Sequence, residues 1–408
     1  MREPTENGSR STELRLSLHD SIHLIRRADW DVVAADASLY LSYDYLVALE
    51  DVMSATMTFR YAIFHDRQYK PVGIAGFQIL DFEDNGSTQG VAMCKLGAGI
   101  GARIIKEMKA RSLVCGNVFN CGEHGAHFAK GIGLEQQLAA LETAMENLRA
   151  DERLQPKVSL LAFKEFWPER RDATAVLLDK GYHQLATDVN MVMDLDPTWK
   201  DLAGYQDALT SKARTRIKSI LRRSAALGIR ELPADEIRRR VPAIQGLFKG
   251  VLERSPFIFG RLDVRVYAEW KELLGDRLMF RGFFLNDELV GFSSSFALGN
   301  TLDAQFVGFD HTHNQQHGIY LRMLVDLLDR ALERGSRRIN FGRTSEQAKS
   351  TIGAVPVQML VYMKHRNRVA NHLIGPFIRK VKPDEFVVRS PFRKEAPMKQ
   401  HTTMLARA

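Results

Sequence analysis

Residues 308–357 read GFDHTHNQQHGIYLRMLVDLLDRALERGSRRINFGRTSEQAKSTIGAVPV. In their middle Leu321, Leu324, Leu328 and Leu332 recur at the three- and four-residue spacing of one buried helical face. A short strand candidate, Arg338 to Phe341, follows the helix, and then come a short helix, a glycine and a further strand. Upstream, LMFRGFFLNDELVGFSSSFAL (278–298) reads as two apolar strands joined at Asn286-Asp287, with Val290-Gly291 opening the second. The first half of the chain repeats the order. FRYAIFHDRQYKPVGIAGFQILDF (59–82) is a hairpin turning at His65 to Gln68, Leu138, Leu141, Met145 and Leu148 mark a long helix, and Val158 to Phe163 form a short strand. Hairpin, strand, helix, strand, helix, strand, given twice, predicts an α+β chain of two tandem domains, each a mostly antiparallel central sheet flanked by helices.

Length agrees, since 408 residues exceed the usual size of one core. The expected division is an unstructured segment 1–18, a first domain 19–198, a second domain 199–365 and a basic extension 366–408. No apolar run reaches the length of a membrane span, the N-terminus lacks the apolar core of a signal peptide, and three cysteines are too few for a disulfide framework. A cytoplasmic protein is expected. The net charge of +8 is local, because the segment from Lys364 onward holds eleven Lys or Arg against three Asp or Glu.

Several stretches resemble the GNAT acyltransferases, and the Fem-type and related tandem enzymes among them. AVLLDKGYHQLAT (175–187) is similar to their C-terminal helix-to-strand corner, with Gly181 at the position past the helix end. In the second half the resemblance rests on Asp310 after a Gly-Phe strand end, Gly318 opening a helix, Gly335 closing it, Phe341-Gly342-Arg343 ending a strand and Lys349 on the next helix. LTSKARTRIKSILRRSAALGI (209–229) resembles the Arg-rich helix that opens the second half of those enzymes. The likeness spans roughly residues 20 to 365. It implies an acyl-CoA co-substrate whose pyrophosphate is held by backbone N–H groups where the central helix starts. Gln315, Gln316, His317, Gly318, Ile319 and Tyr320 occupy that place, with Tyr320 where the family carries a small residue.

A base must take a proton from the attacking amine. In the first half Glu123, His124 and His127 cluster in the Gly-rich turn of SLVCGNVFNCGEHG (112–125) and beyond, and a polar surface turn is the plainer reading of the same residues. In the second half Asp303, Asp310 and His311 lie along or beyond the strand that in GNAT domains borders the thioester, and Asp310 also suits a local cap. Arg343, Thr344 and Lys349 are candidates for an anionic group of either substrate, or for structural pairing. Zinc at Cys115, Cys121, His124 and His127 has the wrong cysteine spacing, so no metal is expected. The glycine series at Gly97, Gly99 and Gly101 lacks the dinucleotide spacing.

The basic C-terminus intersperses Leu373, Ile374, Phe377, Ile378 and Val381 with Arg366, Arg368, Arg379, Lys380 and Lys382, a pattern suited to an anionic membrane surface or to packing on its own domain. Three functions stay open. One is a peripheral, inner-membrane N-acyltransferase joining a long-chain acyl-CoA to an amine-bearing lipid precursor, resembling the bacterial ceramide synthases of the GNAT type. The second is a Fem-like transferase using aminoacyl-tRNA, for which the Arg-rich helix would meet the nucleic acid. The third is a catalytically idle lipid- or nucleic-acid-binding module.

Overall fold

The computed structural model describes residues 14–81, 111–254, 260–378 and 386–393. Its strands are β1 (Arg15–His19), β2 (Thr58–His65), β3 (Pro71–Asp81), β4 (Arg111–Cys115), β5 (Ala126–Phe128), β6 (Leu160–Phe166), β7 (His183–Asp194), β8 (Gly228–Glu231), β9 (Leu278–Leu285), β10 (Glu288–Leu298), β11 (Thr301–Phe309), β12 (Arg338–Asn340) and β13 (Val355–His365). They form one sheet in the order β1-β2-β3-β4-β6-β13-β7-β12-β11-β10-β9-β8, with β5 added to β3. Every pairing is antiparallel except β4 with β6 and β11 with β12. The fold is thus mixed α and β, with a mostly antiparallel sheet flanked by helices and the same motif repeated along the chain.

The two hairpins form where the sequence places them. Asn286 and Asp287 take φ values of 48° and 64°, the left-handed pair that a two-residue turn between twisted strands requires and that Asn and Asp tolerate. Leu324, Leu328 and Leu332 of the helix Ile319–Glu333 are buried, as are Leu138, Leu141, Met145 and Leu148 of the helix Leu134–Ala150. Each such side chain contributes about 1.5–3 kcal/mol on burial. These two helices and the helix Ser211–Arg223 cover one face of the sheet. The helices Arg27–Ala34, Tyr43–Met53, Val241–Leu252 and Val266–Leu274 cover the other. On that second face the halves meet: Tyr45 stacks on Trp270 with ring centroids 4.6 Å apart, and the Trp270 indole donates to the Tyr45 carbonyl at 3.1 Å.

The halves also exchange their last strands. β7, which ends the first repeat, pairs with β12 of the second, while β13, which ends the second, pairs with β6 of the first. β7 and β13 then pair with each other from Val355 against Val192 to Met363 against His183. A hydrophobic run alone cannot reveal which sheet it joins, so the strand order corrects the picture of two separate sheets. Order also begins earlier than residue 19, because Arg15 to His19 pair with His65 to Tyr61.

Beyond the core, residues 386–393 return to the second half. The Phe392 ring stacks on Trp199 at 5.4 Å, and the Arg393 Nε donates to the Leu209 carbonyl at 3.1 Å. Arg379, Lys380, Val381, Lys382 and the glycine series at Gly97 to Gly101 lie outside the described residues, as do the side chains of Phe377 and Ile378. Among the described residues no helix is long and apolar enough to cross a membrane.

Candidate functional site

β11 and β12 run side by side only from Thr301 to Asp303 and from Arg338 to Asn340. Beyond those pairs they part, because β11 continues along β10 to Phe309 while Phe341 and Gly342 bond instead to Met191 of β7, at 2.8 and 3.1 Å. Asp303 and Asn340 therefore face each other where the gap opens, 2% and 4% exposed. The Asp303 carboxylate accepts the hydroxyl of Tyr40, which a short 3-10 turn (Leu39–Leu41) brings across from the first half. Burial pushes the Asp303 carboxyl up to about 6, against the opposing pull of hydrogen bonds from Tyr40 and Asn340 and of the Lys164 charge. A carboxyl in that range is ionised at neutral pH yet basic enough to take a proton. Beside it, the Asn340 Oδ1 and both amide atoms of Asn190 on β7 are buried with no protein partner.

Around Asp303 a polar network ties the halves together. The Tyr45 hydroxyl accepts the amides of Asn117 and Asn120 at 3.0 and 3.1 Å, Asn120 accepts Gln305 at 2.7 Å, and Gln305 accepts the Tyr267 hydroxyl at 3.0 Å. Lys164 on β6 sends its ammonium into the Asn117 carbonyl at 2.9 Å and into that of Asn120. Burial, aided by Arg343, holds that ammonium well below its usual range. Glu165, 2% exposed, accepts the Gly122 N–H at 3.1 Å and pairs with Arg343 of the second half.

Of the first-half candidates, His124 belongs to this centre: its ring meets that of Tyr40 edge-on at 4.7 Å. Burial, with the Lys164 charge adding, drives the His124 pKa down to about 4. Glu123 is used elsewhere. It accepts the Trp167 N–H at 2.9 Å and lies 3.5 Å from Arg170, and burial raises its pKa. His127 sits on β5 opposite Ile74, its pKa lowered by burial. Cys115 packs in the core on the far side of the sheet with Phe163 and Tyr182.

Of the second-half candidates, Asp310 caps the helix His311–His317 by accepting the His313 N–H at 2.8 Å, and the His311 ring bonds the Gly250 carbonyl at 3.0 Å. Both are therefore spent on local structure. Gln315, Gln316 and His317 lie within that short helix rather than in an open loop, and Gly318, at φ 64°, turns it into the helix Ile319–Glu333. Arg223 bonds the Gln315 carbonyl at 2.7 Å, the Asn314 side chain accepts the Tyr320 N–H at 2.8 Å, and Ile319 is fully buried. The Tyr320 ring leans on Phe309 at 5.6 Å and its hydroxyl bonds Ser345, with burial pushing the pKa up to about 12. Lys349 is buried, donates to the carbonyls of Gly342 and Arg343 at 3.1 and 2.6 Å, and is brought down to about 8 by burial. It clamps a segment in which Gly342, Thr344 and Ser345 all have positive φ, 71°, 63° and 53°.

Sequence reasoning missed Tyr40, Tyr45, Asn117, Asn120, Lys164, Glu165, Asn190 and Asn340. Only Lys164 and Glu165 left a trace, as two charges inside the otherwise apolar run LLAFKEF.

Residues 211–350 match the family model described as an acetyltransferase (GNAT) domain. No curated protein matches the chain. Among solved structures the chain is similar to FemX, at 11% identity over 88% of this chain and 100% of that one, with a TM-score of 0.53. It also aligns with a conserved protein of unknown function from Bacteroides thetaiotaomicron at 14% identity, over 86% of this chain and 99% of that one, TM-score 0.49. A tandem GNAT protein from the clavulanic acid biosynthesis pathway aligns at 10% identity over 87% and 99%, TM-score 0.45. The FemX likeness is one of fold, and the two lower scores add nothing to it.

Proposed function

We propose that the chain is an acyl-CoA-dependent N-acyltransferase that forms an amide on a lipid-like primary amine, of the kind a sphingoid base presents. The observation that carries this reading is Asp303, a buried carboxylate poised near neutrality at the parting of β11 and β12 and held by Tyr40 from the other half. Asp303 takes the proton of the ammonium, the freed amine attacks the thioester carbonyl, and the thiol of the donor leaves with a proton. Asn340 and Asn190, with unpartnered amide atoms at the same gap, are placed to hydrogen-bond the reacting groups. The test is turnover with acyl-CoA and a long-chain amine. Asp303→Asn should lower it by on the order of a hundredfold or more with the fold intact, and near-parental turnover in the folded variant would remove Asp303 from the chemistry.

An anionic membrane surface fits such substrates. On the helix Arg368–Ile378, Val369 and Leu373 are 69% and 59% exposed and lie one turn apart, beside Arg366 and Arg368. Salt-sensitive sedimentation with anionic vesicles, lost in Leu373→Glu, checks this, and equal pelleting of parent and variant refutes it.

A Fem-like use of aminoacyl-tRNA is the second reading. It is favoured by the helix Ser211–Arg223, which exposes Lys212, Arg216, Lys218, Arg222 and Arg223 to solvent. Ribonuclease-sensitive activity would select it over the acyl-CoA donor.

A further inference from the structure

From Ser112 to Asn120 every residue is buried, and Cys121, half-buried and free, is the first after them to reach solvent. It stands in a loop without regular structure that is nevertheless fixed on both sides of the thiol. Before it, the Asn120 side chain donates to the Tyr45 hydroxyl at 3.1 Å and accepts from Gln305 of the second half at 2.7 Å. The Asn120 carbonyl takes the Lys164 ammonium. At Cys121 itself the carbonyl lies 2.9 Å from the His124 Nε2, and after it the Gly122 N–H donates to Glu165 at 3.1 Å. A turn that only links β4 to β5 needs none of these long-range bonds, whereas a reacting group must be held in place.

Three neighbours locate the sulfur. Burial lowers the pKa of Lys164 and of Lys349 and raises that of Tyr40, and a charge on Cys121 is felt by all three, pushing each up. Tyr40 holds Asp303, and Lys349 clamps Gly342 and Arg343, the residues that carry the chain past Asn340. Cys121 of the first half thus lies at the parting of β11 and β12 in the second. A separate observation at that parting points to a ligand. Asn190 is fully buried next to Met191, which bonds Phe341 and Gly342, and its Nδ2 has no acceptor. A buried donor left open calls for an oxygen from outside the chain, and an oxygen on which negative charge develops suits it best.

We propose that Cys121 is a nucleophile that receives the acyl group before the amine does. The assignment rests on the acyltransferase reading above and divides the reaction into two transfers. In the first, the Cys121 Sγ bonds to the thioester carbonyl carbon, the bond from that carbon to the donor sulfur breaks, and the thiol proton goes to the departing sulfur. In the second, the amine nitrogen, its ammonium proton already on Asp303, bonds to the same carbon. The carbon–Sγ bond then breaks, and Sγ takes the second proton from nitrogen. Each transfer passes through a carbonyl oxygen that gains negative charge, which the Asn190 Nδ2 is placed to hold.

Incubation of the full chain with octanoyl-CoA and no amine, followed by intact-mass and peptide mass spectrometry, tests this. One octanoyl group per chain should appear on the peptide carrying Cys121, be removed by neutral hydroxylamine as thioesters are, and be released as N-octyloctanamide when octylamine is added. Double-reciprocal plots for the parent should be parallel, as two successive half-reactions require. Cys121→Ala should form no such adduct and lose turnover by about a hundredfold or more. Labelling of the parent depends on no variant folding. An adduct that is absent or spread equally over Cys94 and Cys115 overturns the proposal, as does a folded Cys121→Ala with turnover within about tenfold of the parent. If amide still forms in those cases and depends on Asp303, direct transfer stands and only the nucleophile falls. If Cys121 is labelled but octylamine leaves the adduct in place, the nucleophile stands and the amine acceptor falls.

Discussion

In the first half the parallel strands β4 and β6 pair from Ser112 to Cys115 against Leu160 to Phe163 and then part; in the second half β11 and β12 do the same after Asp303 and Asn340. The first parting is filled by the chain itself. Lys164 turns its ammonium onto the carbonyls of Asn117 and Asn120, and Gly116, at φ 139°, has the Lys164 carbonyl 2.5 Å from where a Cβ would stand. The second parting keeps a carboxylate near neutrality and leaves the Asn340 Oδ1 and the Asn190 amide with no protein partner. Buried polar groups left open in this way call for a ligand or water, whereas satisfied ones hold structure. One parting is therefore closed by the chain's own groups, while its copy keeps buried polar atoms open at the place where we propose the acyl transfer, next to Tyr40 from the other half.

Opening the closed parting is the severest challenge to that contrast. Lys164→Met orphans two buried carbonyls and should cost roughly 2–3 kcal/mol in urea unfolding, yet leave turnover per folded molecule within about tenfold of the parent. Should turnover collapse in a stable Lys164→Met variant while Asp303→Asn keeps its activity, the roles of the two partings are reversed. Tyr40→Phe is the gentler probe. Its hydroxyl stabilises the Asp303 carboxylate, so losing it raises the Asp303 pKa further above the ordinary carboxyl range. In the proposed reaction the ionised form is the active one, so activity should fall as pH drops through the folded pKa. The acid limb of kcat/KM, expected near pH 6 in the parent, should accordingly move upward by on the order of one unit. A downward or absent shift in the pH profile would deny Tyr40 its hold on the base.

Local features were readable from sequence because neighbouring residues determine them. The Asn286-Asp287 turn and the leucine stripe after Tyr320 are set within a few positions. Asp310 as a cap needed only the backbone three residues on. The site was not readable in the same way. The Tyr40–Asp303 bond spans 263 positions, and Asn340 acquires its setting from a strand partner on β11. The expected phosphate loop shows the opposite limit. The glycine was real and does break the chain direction at Gly318, but Asn314 supplies a side-chain acceptor to the new helix start, a role no spacing rule assigned it. Glu123 and His127 lie near His124 in sequence, and yet the turn sends each to a different neighbour.

The crossing of β7 and β13 has a consequence in time. As the chain leaves the ribosome, β6 is made long before β13, the strand that must lie against it, so the first repeat stays an open-edged sheet until nearly the whole chain has emerged. Pairings between such distant segments close slowly, since the loop entropy must be met before any contact rewards it. The portion synthesised first is thus completed last, and neither repeat can be lifted out as a self-sufficient module without taking the other's final strand with it.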